Sequence, residues 1–60
     1  MTLKKYLTTH KITQAEFANL LGVKQQSVSR YINGLPPKRE IAHKIIMITN
    51  GTVNYKDLWG

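Results

Sequence analysis

Thr13 and Glu16 stand three residues apart just ahead of an apolar run, and Gly22 closes that run. In this arrangement the threonine hydroxyl accepts from the backbone N–H three residues on, and the glutamate reaches back to the threonine N–H. Two open donors at the start of a new helix are then satisfied reciprocally. Ile12 and Phe17 occupy the flanking positions of a hydrophobic staple. A helix is therefore predicted over about 14–21. At about 100° per residue, Phe17, Ala18, Leu20 and Leu21 share its inner face, with Glu16 and Asn19 opposite. Gly22 tolerates the left-handed backbone on which helices commonly stop.

The remaining apolar spacing is helical as well. Leu3, Tyr6 and Leu7 follow a cap at Thr2 and predict a short first helix, with His10-Lys11 as the loop after it. A third helix is expected from about Gln25 to Ile32, ended by Asn33-Gly34. Leu35-Pro36-Pro37 forces an extended connection. A fourth helix is expected from about Lys38 to Thr49. Its inner face holds Ile41, Ala42, Ile45, Ile48 and Thr49, and its outer face Arg39, Glu40, His43 and Lys44. The β-branched "IIMI" would also suit a strand, but the length of the helical periodicity and the Pro-Pro entry favour the helix. Asn50-Gly51 closes it, Val53 continues the core, and Asn54 with Asp57 caps a last turn ending at Leu58-Trp59. The expectation is an all-α fold of four to five short helices, one domain over residues 1–60.

Few functions fit such a chain. With 60 residues the core is small and the net stability modest. There is no cysteine, so neither a disulfide framework nor a thiolate metal site is available. His10 and His43 are too far apart in sequence to read as a metal cluster, and neither has a nearby nucleophile. The three acids, Glu16, Glu40 and Asp57, give no carboxylate pair for acid–base chemistry. No catalytic residue, metal or cofactor is expected, and no small-molecule substrate. No apolar run reaches the roughly 18 residues of a membrane span, and no signal-peptide pattern opens the chain. Nine Lys and Arg against three acids leave a net charge of +6. A polyanionic partner follows naturally from that charge, although solubility alone also accounts for a basic balance.

The third helix sharpens the choice. With Gln25 set to zero on the wheel, Ser29, Asn33, Gln26 and Arg30 fall within about 140° of it, and Val28, Tyr31 and Ile32 lie behind. The apolar back suits packing onto the second helix. The front is a plane of donors and acceptors without Glu or Asp. Gln bonds bidentately to adenine N6 and N7 and Arg to guanine O6 and N7, while Ser lets a helix come close. An ordinary solvated face has a similar composition, but the missing acids suit a groove lined by phosphates. Gly22-Val23 then joins two amphipathic helices through a turn too short for anything but a steep crossing, with Val23 filling the space between them.

"TQAEFANLLGVKQQSVSRYING", residues 13 to 34, resembles the helix-turn-helix of the phage Cro and repressor family. Gln14 opens the first motif helix, small Ala18 stands where the helices approach, Gly22 sits in the turn, and Phe17, Leu21, Val23, Val28 and Tyr31 fill the core slots. The resemblance implies base contacts from Gln25, Gln26, Ser29 and Arg30. It implies backbone contacts from Gln14 and Asn33, and from Lys38 and Arg39 after them. Lys24 departs from the family's usual Ser or Thr cap, having no oxygen to cap with, and suits a phosphate instead. A Cro-like repressor of this kind binds double-stranded operator DNA, acts by occupancy, and works as a homodimer in the cytoplasm of a bacterial host.

Other readings stay open. An antitoxin-like or host regulator carries the same motif, and so does the DNA-recognition part of a recombinase or transposase. A protein-interaction module would use a different surface. Met47 falls among charged neighbours and, with Ile46 and Trp59, is the candidate dimer contact. Trp59, next to Leu58, reads as core or dimer contact and not as a base stacker. Tyr31 reads as core, and Tyr6 and Tyr55 are ambiguous.

Overall fold

The computed structural model describes residues 1–59. Five helices follow one another: α1 (Leu3–Thr9), α2 (Gln14–Leu21), α3 (Gln25–Ile32), α4 (Arg39–Ile48) and α5 (Tyr55–Trp59). No strand occurs among the described residues, so "IIMI" is helical. None of the helices is long and apolar enough to cross a membrane.

The helix starts are built as expected. Thr2 Oγ1 accepts from Lys5 N–H, and Thr13 with Glu16 forms the complete reciprocal box. Asn54 and Asp57 make a second such exchange ahead of α5: Asn54 N–H donates to Asp57 Oδ2, and Asp57 N–H to Asn54 Oδ1, both at 3.0 Å. The Met1 ammonium reaches the same Asp57 Oδ2 at 3.0 Å and ties the first residue to the last helix.

The first four helices all end in one way. Just past each helix end an N–H turns back to the carbonyl five positions earlier: Ile12 to Leu7, Val23 to Ala18, Leu35 to Arg30, Gly51 to Ile46. The residue before it in each pair, Lys11, Gly22, Gly34 or Asn50, has positive φ. This is the Schellman closure. It normally adds an apolar contact between the two ends of the long bond. Ile12 and Val23 do pack on the core. Leu35 faces the charged Arg30 across its bond and stays 58% exposed.

Phe17, Leu21, Val28, Ile45 and Val53 are the largest fully buried side chains, drawn from α2, α3, α4 and the loop before α5. α2 and α3 pack most extensively on each other. α1 lies against α3, and α4 against α2 and α5. Thr49 is the one buried polar side chain among the described residues. Its hydroxyl donates to Ile45 O at 2.8 Å and accepts from Val53 N–H at 3.2 Å, so it joins the end of α4 to the following loop.

Three core expectations need correction. Leu20 is 59% exposed because it lies at the edge of the α2 stripe and no other helix covers it. Ile48 stands at the corresponding edge of α4 and is also exposed. Trp59 is not core: it is exposed and stacks on Tyr55 one turn earlier, ring centroids 5.1 Å apart. Tyr6 is half-buried against the core beside His10, Tyr31 packs on the core, and Tyr55 is exposed.

Candidate nucleic-acid interface

α2 and α3 build the site between them. The box at Thr13 fixes where α2 begins and so where Gln14 stands. Gly22, at φ 74°, turns the chain, and Val28 anchors α3 by burying its back. The side chains left outward are the polar ones. Gln25, Gln26 and Ser29 of α3 line one concavity of about 350 Å³, and Gln14, from the first position of α2, lines it with them. Four groups able to donate and accept hydrogen bonds thus meet in an open hollow with no carboxylate in its lining. The turn at Gly22 and the burial of Val28 bring Gln14 to three residues that lie more than ten positions further along the sequence.

The other expected contact residues lie around this hollow in separate places. Lys24 precedes α3 in an extended conformation, exposed, and its side chain makes no cap bond. Asn33 ends α3 and is exposed. Arg30 and Lys38 line a second concavity of about 330 Å³, with Ser27 and Leu35. Arg39 parts company with Lys38. It lines a third concavity of about 500 Å³ with Glu40, His43, Lys44 and Tyr55. Lys38 is the extended residue before α4 and Arg39 its first helical one, so their side chains diverge. Of the candidate dimer residues, Met47 is 67% exposed and Trp59 is exposed, whereas Ile46 is half-buried.

Charge is distributed to suit an anion. All nine Lys and Arg side chains are exposed. Among the described residues the one ion pair joins the Met1 ammonium to Asp57, so no Lys or Arg is matched to a carboxylate. Two of the three acids are engaged with backbone instead. The Thr13 N–H, with the Thr13 side chain, holds the Glu16 carboxyl below its ordinary pKa. The Asn54 N–H and the chain's ammonium do the same for Asp57. Both stay ionised near neutrality while serving helix starts, and only Glu40 remains on the surface without such a partner.

Sequence reasoning did not bring α1 to this site. Lys4 and Thr8 line a hollow next to Gln14. No pattern in the chain announces that proximity, because it depends on how α1 is folded back at Lys11 and Ile12.

The helix-turn-helix family matches residues 3–55, most of the chain. No curated protein and no solved structure matches it significantly.

Proposed function

The chain belongs to the helix-turn-helix family, a domain that binds double-stranded DNA sequence-specifically and regulates transcription, and on that premise we propose that it is a Cro-like phage repressor acting by occupancy of its operator. The observation that carries this reading is the shared hollow of Gln14, Gln25, Gln26 and Ser29, lined by polar residues and free of carboxylates.

In this reading α3 enters the major groove. Gln25 and Gln26, in its first turn, meet base edges, and adenine is the base a Gln pairs with best. Ser29 lets the helix sit deep, and Arg30, further along the same face, meets a guanine. Gln14 bonds the phosphate beside the hollow. Lys24, Asn33, Lys38 and Arg39 bond phosphates around it and hold register without reading sequence. The protein changes no covalent bond: a bound repressor excludes polymerase or a rival regulator, in the cytoplasm of the bacterial host.

One α3 spans only a few base pairs, so a useful operator needs two copies. A two-fold dimer sets the helices about 34 Å apart on half-sites one DNA turn apart. Met47, with Trp59 and the flank of Ile46, offers the exposed apolar surface for that contact.

Selection of bound duplexes from a random-sequence pool tests the reading. Enriched duplexes should carry two half-sites about one turn apart, each with an A·T pair at a fixed place. Log affinity should fall linearly with log salt, at about −0.9 per phosphate neutralised. No enrichment together with a flat salt response would overturn it.

A further inference from the structure

Gln14 lines two hollows. One is shared with the polar face of α3. The other, about 310 Å³, opens on its far side, where Lys4, Thr8 and Thr13 join it over a floor from Leu7 and Ile12. From this second hollow we infer that α1 belongs to the DNA interface and that Lys4 neutralises a backbone phosphate adjacent to the one held by Gln14. The inference rests on the DNA-binding reading above and extends it to a helix outside the motif.

The placement of Lys4 is determined by the core. Leu3 and Leu7 are buried, which sets the rotation of α1 about its axis. Lys4 and Thr8, one turn apart, then share a stripe directed into the hollow. Lys4 is exposed and has no carboxylate partner among the described residues. Its four-carbon stem carries a compact charge with three donors, suited to a phosphate oxygen at the rim.

The hydrogen bonds around it show which groups remain available. Thr8 Oγ1 donates to Lys4 O at 3.0 Å, so its proton is used inside the helix. Thr13 Oγ1 accepts from Glu16 N–H and keeps its own proton to donate outward. Glu16, the nearest acid in sequence, has Oε1 turned onto Thr13 N–H at 3.0 Å. Left for a ligand are one ammonium, one hydroxyl proton and the Gln14 amide, a donor set matching phosphate oxygens.

Continuity supplies direction. With α3 in the groove, the strand that passes Gln14 leaves the base-facing hollow and enters the one containing Lys4. On the other flank of α3, Lys38 lines a separate hollow beyond the base-reading Arg30 and faces the opposite strand. The protein then clamps both strands, with α1 as one jaw.

The test compares Lys4→Ala with Lys5→Ala. Both remove one exposed charge from one helix, but Lys5 lies outside the hollow. On a duplex recovered by selection from random DNA, Lys4→Ala should lower the salt slope by about 0.9, with the same loss on all single-base variants. Lys5→Ala should keep the wild-type slope. A scan of neutral methylphosphonates along that duplex should find one backbone position that weakens wild type and leaves Lys4→Ala unaffected. Thermal unfolding should be unchanged in both variants. Equal slope losses in the two variants, or no such backbone position, would overturn the assignment of Lys4 while leaving DNA binding intact. A wild-type affinity indifferent to salt would overturn the DNA-binding reading itself, and this inference with it.

Discussion

α2 and α3 have eight residues each, pack face to face and end in the same closure, yet they differ in how they start and in what they bury. α2 is closed at both ends, by the Thr13–Glu16 exchange and by the turn at Gly22, and it buries Phe17, Ala18 and Leu21. α3 starts at Lys24 without a side-chain cap and buries Val28 alone. The first helix concentrates its side chains on stability. The second is held mainly by its neighbour, which leaves its outward residues free for recognition.

The largest effect should come from the buried side of that contrast. Phe17→Ala removes a fully buried ring at a cost of about 3–5 kcal/mol. A domain of this size has little more than that in hand, so the variant should be largely unfolded by circular dichroism at 25 °C. Gln26→Ala, on the exposed face of α3, should shift stability by no more than about 0.5 kcal/mol. Similar losses in the two variants would erase the division of labour.

A smaller and more specific effect concerns the two helix starts. Thr13→Ala should cost about 1 kcal/mol, whereas Lys24→Ser installs the cap that α3 lacks and should gain a comparable or smaller amount. The midpoints of thermal unfolding should therefore move in opposite directions. The same Lys24→Ser should lower the salt slope of DNA binding by about 0.9 if Lys24 meets a phosphate. A gain in stability with no change in slope would keep the cap argument and remove Lys24 from the interface.

Acid should separate the helices too. The folded Glu16 carboxyl lies below its ordinary value because Thr13 N–H donates to it. Its contribution is complete above the ordinary carboxylate range and is lost as pH falls through the lowered folded value. Asp57 acts likewise at α5. α3 contains no acid. Hydrogen exchange on acidification should therefore loosen the first turns of α2 and α5 before α3 changes. Loosening confined to α3 would contradict the assignment of these caps.

The parts of the fold that sequence could predict were those governed by local chemistry. The reciprocal Thr13–Glu16 pair, Gly22, Asn33-Gly34 and the Asn54–Asp57 pair each act within a few residues, and the helix bounds follow from them. A helical wheel gives a face but not how far the neighbours reach over it, which is why Leu20 and Ile48 turned out exposed. Of the two readings of Trp59, core or dimer contact, the core reading fails, since stacking on Tyr55 shields one ring face without a core around it. The resemblance named Gln14 and the α3 residues as separate contacts, and their meeting in one hollow is seen only in the fold. The proximity of Lys4 to Gln14, and the separation of Arg39 from Lys38, depend on helix placement that no local pattern encodes.

The central claim is that the α3 face reads bases while the residues around it only hold phosphates. Affinities of Gln26→Ala and Lys38→Ala on a panel of single-base variants of the selected duplex test it most directly. Gln26→Ala should cost about 1–3 kcal/mol on the best duplex and relax preference at one or two positions, an A·T pair among them. Lys38→Ala should weaken every duplex alike and lower the salt slope by about one. A uniform loss from Gln26→Ala, with altered base preference from Lys38→Ala, would contradict the account and take α3 out of the groove.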